Sequence, residues 1–325
     1  MEQAPLFPDF TLPTTRDVAR LVKLGGVEAL PDGTRRADAA TYREIRCRSA
    51  LNRVRGMPFK WTLNPYRGCT HGCHYCFARR YQAQLELDAG DSFASLIFVK
   101  TNFVDRLRAE LDRPSWGREQ VALGTATDPY QPIERTYRLT RGTLECLARA
   151  ATPVGLVTKG PLVVRDRDVL LELSARTTCR VYMSVPTVDE DGWRRLEPGT
   201  AHPLQRLRAV RELVDAGVDA GVLMAPIVPG LTSHPSKLDR TVKAIADSGA
   251  RHVGAMVMHL EAGTRDHFMT FLAREYPELV DRYGHLYAGK HAPKAYEERV
   301  RDVVGMLKAR YRISRDRKQE GGSRK

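Results

Sequence analysis

The stretch "RGCTHGCHYCFARR", residues 67–80, puts Cys69, Cys73 and Cys76 within eight positions, while Cys47, Cys146 and Cys179 stand singly in a chain of 325 residues. Clustered thiols point to a metal, and isolated ones behave as small buried hydrophobes. Thiolates hold zinc in fours, or in threes with a histidine, and iron–sulfur clusters usually by four. Three sulfurs on one tight loop can reach three corners of a cubane and leave the fourth iron without a protein ligand, the open position that catalytic metal sites keep. Two other readings stand beside this one: zinc held by the three cysteines with His71 or His74, and an electron-transfer cluster completed by Cys47, Cys146 or Cys179.

Working outward, "FKWTLN" directly before the cluster is the first of a series of short apolar or β-branched runs. It is followed by "SLIFVKTN", "QVALGTAT", "PVGLVTKG", "RVYMSVPT", "AGVLMAPIVPG" and "HVGAMVMHLE". Helical patterns lie between them, such as "HPLQRLRAVRELVDAG", where Leu204, Leu207, Val210 and Val214 recur at helical spacing and Gly217 is placed to end the helix. Alternating strands and helices predict an α/β fold with a parallel sheet and right-handed crossovers. No GxGxxG follows the first strand, which disfavours a dinucleotide-binding sheet and favours a partial (β/α)6-type barrel. The cysteine loop then sits at a strand's carboxyl end, where barrel enzymes place their chemistry.

Residues 1–56 read as an N-terminal extension with a short helix at "ATYREIRCRSALNRV", 57–262 as the barrel, 263–312 as C-terminal helices, and 313–325 as a disordered basic tail. A formal net charge of +13 attracts polyanions. The basic runs "REIRCRSALNRVRG" and "KARYRISRDRKQEGGSRK" are read either as nucleic-acid contacts or as solvated faces. No apolar run approaches the roughly 18 residues of a membrane span, and the first residues lack a secretory pattern, so a cytoplasmic chain without a membrane partner is expected.

Polar groups gather at the predicted strand ends: Thr125, Thr127 and Asp128 in "GTATDPYQPIE", Thr158 and Lys159 in "LVTKG", Ser184 and Thr187 in "YMSVPT", and the backbone at Pro226 and Gly230 in "APIVPG". A lysine ending an apolar strand needs an anion to offset its desolvation.

CxxxCxxC with Tyr75 before the last cysteine resembles the signature of the radical S-adenosylmethionine (SAM) enzymes, and "NPYRGCTHGCHYCFAR" is similar to the branch related to spore photoproduct lyase. The resemblance extends loosely over residues 57–262. It implies a 4Fe-4S cluster on Cys69, Cys73 and Cys76, with SAM chelating the open iron. It also implies reductive cleavage of SAM to a 5′-deoxyadenosyl radical, and an external flavodoxin- or ferredoxin-like one-electron reductant. By the same similarity Lys159 would meet the SAM carboxylate, Thr127 its amino group, Ser184 the ribose, and the backbone around Pro226 the adenine. Two departures matter: Thr125 stands where the lyase has its hydrogen-donating cysteine, and Phe77 stands where it has a tyrosine. The lyase substrate is therefore not carried over. The radical's target is open, with nucleic acid the first candidate. A metal-stabilised nucleic-acid-binding protein without turnover is the alternative.

Overall fold

The computed structural model describes residues 12–30, 34–35, 40–90 and 92–313. The strands, in chain order, are β1 (Thr34–Arg35), β2 (Thr41–Ile45), β3 (Asn52–Arg53), β4 (Trp61–Leu63), β5 (Tyr66–Arg67) and β6 (Leu96–Lys100). They continue with β7 (Val121–Leu123), β8 (Val154–Thr158), β9 (Cys179–Ser184), β10 (Ala220–Ile227) and β11 (Val253–Val257). Seven form one sheet in the order β11-β10-β9-β8-β7-β4-β3. All neighbours from β4 to β11 are parallel, and only the β3–β4 pair is antiparallel. Six parallel strands with β11 and β3 left at separate ends make a partial barrel rather than a closed one.

The apolar runs form these strands because crossover helices bury their outer faces: Leu156, Val181, Met183, Val222 and Met224 are fully buried. The crossovers are Phe103–Leu111, Leu139–Arg149, Arg167–Arg176, Pro203–Asp215 and Pro235–Asp247, with Arg265–Glu275, Val280–Leu286 and Lys294–Arg310 following β11. Among the described residues no helix is long and apolar enough to cross a membrane.

Three sequence expectations need correction. The helix expected over residues 40–54 is instead β2 and β3. β2 pairs in parallel with β6 over five residues, Thr41 opposite Leu96 through Ile45 opposite Lys100. That ladder lies far away in sequence and overrides local propensity. Consequently "SLIFVKTN" is not a barrel strand: β6 belongs to a second sheet, ordered β1-β2-β6-β5. In the helix Pro203–Asp215, Leu204 is 49% exposed, and the buried face carries Arg206, Leu207, Val210 and Leu213. Gly217 ends that helix as expected, with φ +98° and the Gly217 and Val218 N–H groups donating to Val214 and Leu213. The expected disordered tail lies outside the described residues beyond 313.

The second sheet is fastened to the barrel by side chains. The Glu110 carboxylate accepts from the N–H groups of Ala50 (3.1 Å) and Leu51 (2.8 Å). Asn102 accepts from Cys47 N at 2.8 Å and donates to Cys47 O at 3.0 Å. Phe98 on β6 packs with Val18, Ile45 and Leu85, joining the helix Thr15–Gly25 to this sheet. Phe98→Ala is expected to cost about 3–5 kcal/mol in a denaturant titration; a loss under 1 kcal/mol would show that this sheet contributes little to the cooperative unit.

Candidate active site

The three cysteines lie on the loop that leaves β4 and β5 at the carboxyl end of the parallel sheet. All six cysteines are free thiols. Cys69 and Cys73 are buried and Cys76 is half-buried. Burial pushes each cluster thiol upward, Cys73 to about 12; Cys73 and Cys76 raise Cys69 further, and Cys76 raises Cys73. Cys47, Cys146 and Cys179 are buried elsewhere: against Asn102, against the Val104 carbonyl, and at the amino end of β9.

The loop's shape is imposed by its neighbours. Gly68 has φ +77°, and a Cβ there would meet the Leu96 carbonyl at 2.6 Å. Thr127 donates to Gly68 O at 2.6 Å, while Gln131 donates to Thr127 Oγ1 at 3.0 Å and accepts from Thr70 N at 3.3 Å. The buried Arg79 guanidinium binds four carbonyls, those of Gly72, Cys73, Ala89 and Gly90, at 2.7–3.0 Å. From above, Gly199 N donates to His71 O at 3.0 Å and His74 N to Leu196 O at 3.1 Å. Thr264 Oγ1 donates to Cys76 O at 3.2 Å.

Neither histidine of the loop joins the thiols. His71 Nδ1 is 3.3 Å from Asp128 Oδ2, and His74 Nδ1 is 3.0 Å from His267 Nε2. Asp128 is more than a turn former. Its carboxylate accepts from Tyr130 N, Thr158 Oγ1 and Lys159 N at 2.6–2.8 Å, tying the end of β8 to the cluster loop. Burial raises its pKa, but His71 and these donors outweigh burial and hold it below the ordinary value.

Beside the loop lies a buried charge network. Glu197 accepts from the Tyr75 hydroxyl. It pairs with Lys159 Nζ at 2.7 Å and with Arg206 Nη2 at 2.5 Å. Lys159 also donates to Ser184 Oγ at 2.6 Å and stands 5.6 Å from the Tyr75 ring centroid. Arg206, fully buried, donates to the carbonyls of Ser184 and Ala201 and to Thr200 Oγ1 at 2.8–2.9 Å. Ser184 Oγ in turn donates to Ala225 O at 3.3 Å, next to Pro226. Thus the structure brings Lys159, Ser184 and the Ala225–Pro226 backbone into one hydrogen-bonded chain, while Thr127 lies below the cysteine loop. The anion that meets Lys159 is Glu197.

Comparison with known proteins now has a geometry to explain. Residues 63–236 match the Radical SAM superfamily. The chain belongs to that superfamily. It is 42% identical over 283 residues to an uncharacterized protein of Mycobacterium tuberculosis, covering 86% of this chain and 83% of that one. It is 25% identical over 206 residues to the radical SAM Nalpha-GlyT isomerase of Pseudomonas phage M6, covering 61% and 39%. Among solved structures, a single-site mutant of spore photoproduct lyase superposes with TM-score 0.67 at 15% identity, covering 94% of each chain. A double mutant of the lyase with bound AdoMet and dinucleoside spore photoproduct gives 0.66 at 14%, covering 86% and 82%. At such identity the likeness is one of fold.

The chain is therefore an enzyme of the radical SAM superfamily, a family that works with an iron–sulfur cluster, SAM and an electron donor. Its residues fit that group. The donors are three unbridged thiols; His74 is engaged by His267, and among the described residues the loop keeps the buried Thr70 Oγ1 and His71 Nδ1 without a hydrogen-bond partner, the latter 3.3 Å from Asp128 Oδ2. Among the described residues no three His, Cys, Asp or Glu side chains converge on a single-ion cage. A polynuclear cluster, by contrast, offers a separate iron to each thiolate.

The sequence reading missed Arg79, Gln131, Glu197, Gly199 and Arg206. Arg206 left a trace, since it interrupts the apolar face formed by Leu207, Val210 and Leu213 in its own helix. Glu197 left none, because only folding brings residues 75, 159, 197 and 206 together.

Two outcomes test this site. A Cβ on Gly199 would lie 2.1 Å from the Thr70 carbonyl, so Gly199→Ala must displace the cluster loop and is expected to lower iron retained after reconstitution at least severalfold. Burial raises the Glu197 pKa, yet Arg206 and Lys159 overcome it and hold the carboxyl at about 2, against an ordinary 4.5. Its contribution is thus present above about pH 4.5 and lost as pH falls toward 2. Glu197→Gln is expected to cost about 3 kcal/mol at neutral pH by stranding two buried cations. It should also flatten the loss of stability between pH 4.5 and 2, as read by urea unfolding at each pH.

Proposed function

We propose that this enzyme holds a 4Fe-4S cluster on Cys69, Cys73 and Cys76 and acts on a nucleic acid. When bound, the cluster and SAM supply a 5′-deoxyadenosyl radical by one-electron cleavage of the sulfonium, and that radical abstracts hydrogen from the substrate. The observation that carries this reading is three unbridged thiols, two buried and one half-buried, on a clamped loop at the carboxyl ends of six parallel strands, with Lys159 beside them.

The hydrogen-bond inventory leaves room for SAM. Lys159 Nζ has three donors; Glu197 and Ser184 take two, and the third serves the SAM carboxylate. The Thr127 hydroxyl donates to Gly68 and accepts from Gln131, which leaves a lone pair for the amino group. Ser184 likewise keeps one lone pair for a ribose hydroxyl, and the backbone at Pro226 flanks the adenine. Tyr75 and Glu197 fix Lys159 in place. The electron comes from an external flavodoxin- or ferredoxin-like donor.

The net charge of +13 and the dinucleoside bound by the lyase support a nucleic-acid substrate. Thr125 and Phe77, in place of the lyase's cysteine and tyrosine, argue against the spore photoproduct itself. A hydroxyl O–H bond is too strong to donate hydrogen as a thiol does, and a phenyl ring carries no phenolic hydrogen.

Anaerobically reconstituted protein is expected to bind about four irons and to release 5′-deoxyadenosine from SAM under strong reduction. Lys159→Ala should keep its iron and weaken SAM binding at least tenfold, measured by equilibrium dialysis. Zinc as the only metal, no SAM cleavage, and oligonucleotide binding indifferent to Cys76→Ala would together favour a binding protein without turnover.

A further inference from the structure

Away from the cysteine loop, a cavity of about 400 Å³ opens where the carboxyl end of β2 meets the start of the helix Phe103–Leu111. Arg46, Arg48 and Arg106 line it, with Asn102 and Asp17. The arginines are exposed, and among the described residues none of the three forms an ion pair. Asp17 is the one acid among the described residues of the lining. It is committed to capping its own helix, accepting from Thr14 N at 2.9 Å and Thr14 Oγ1 at 2.7 Å, bonds that lower its pKa. Three guanidinium groups therefore surround a space with one carboxylate already engaged.

The cavity is built rather than incidental. Cys47 is held on both backbone atoms by the Asn102 amide and is buried, while Arg46 and Arg48 on either side of it are exposed. Alternate residues of an extended segment share a face, so the chain presents the two arginines as a pair. Arg106 adds a third from the first turns of the facing helix. The site lies outside the carboxyl ends of two parallel strands, β2 and β6, the position where open α/β sheets receive ligands. A helix amino terminus contributes further positive potential there.

We infer that this cavity seats a backbone phosphate of a nucleic-acid chain whose reacting base lies at the cysteine loop. The inference rests on the nucleic-acid reading above and adds to it the requirement for a chain rather than a mononucleotide. The two places lie at opposite ends of one strand. Gly68 and Cys69 abut the segment that leads into β6, at Phe93 and Leu96, whereas the cavity lies beyond Lys100. At about 3.3 Å per residue the separation is about 15–20 Å, or about five steps at 3.4 Å per phosphate on one strand. The acid-free segment 46–55 continues from the cavity with Arg53 and Arg55, both exposed, which extends the positive track along which a strand would run.

The test uses the reconstituted full chain and fluorescent single-stranded 15-mers of DNA and RNA, read by anisotropy from 50 to 200 mM KCl. The triple variant Arg46→Ala, Arg48→Ala, Arg106→Ala is compared with a charge-matched control, Arg282→Ala, Arg299→Ala, Arg301→Ala, whose arginines lie on helices after β11 and form no ion pair among the described residues. Binding by the triple variant is expected to be at least tenfold weaker at 100 mM salt. Its log–log salt slope should be shallower by about two, with the control within threefold of wild type. A dinucleotide should bind both variants equally, and SAM cleavage without substrate should be unchanged. Equal losses in both variants, or a triple variant with wild-type affinity, would overturn the inference while leaving the nucleic-acid reading intact. So would inorganic phosphate that binds the wild type and not the triple variant when 15-mer affinity is the same in both, because the site would then belong to a free anion. Wild-type protein that binds no oligonucleotide would remove the nucleic-acid reading itself.

Discussion

A loop carrying three thiols, two glycines and two histidines has no apolar face of its own with which to fold. Its conformation has to be supplied by groups that accept or donate to its backbone, and the rest of the architecture provides them. Arg79 gathers four carbonyls under the loop, Thr127 and Gln131 hold its entry at Gly68, and Gly199 lies against it from the far side. Arg79 comes from the short helix that follows the loop, Thr127 and Gln131 from the segment after β7, and Gly199 from the segment after β9, so the clamp forms only when those strands are in place. The close approach at Gly199 is the tightest constraint, because backbone meets backbone with no side chain between to yield.

The network of Tyr75, Lys159, Glu197 and Arg206 is the electrostatic counterpart of that clamp. Two cations and one carboxylate are withdrawn from water together, an arrangement that costs desolvation and is tolerated when every remaining donor finds an acceptor. Here the carbonyls of Ser184 and Ala201 and the hydroxyls of Thr200 and Ser184 take further donors of Arg206 and Lys159, and one donor of Lys159 is left over. Tyr75 carries the network to the cysteine loop, and so links the residue beside Cys76 to the ends of β8 and β9. A lysine held at two of its three donors keeps a fixed direction, which is what a contact to a charged cofactor requires.

The second sheet changes how the N-terminal portion of the chain is understood. Residues 41–45 read as helix in isolation, yet they complete a ladder with β6, and that ladder sets the cavity lined by Arg46, Arg48 and Arg106 beside the barrel. The basic run that composition alone leaves undecided between solvated surface and binding face thus acquires a shape.

The sequence by itself determined the alternation of strands and helices, the partial barrel, the location of the cysteine loop at a strand's carboxyl end, and the end of a helix at Gly217. These follow from local periodicity, and from the chemistry of thiols spaced three and two residues apart. Only the tertiary structure decided that β2 is a strand, that β6 lies outside the barrel, that Leu204 faces water while Arg206 is buried, and that Glu197 is the anion beside Lys159. Each of those outcomes depends on partners tens to more than a hundred residues away. A pairing between distant residues leaves no periodic mark in the chain, and the free energy that selects it is gained only when both segments are buried together.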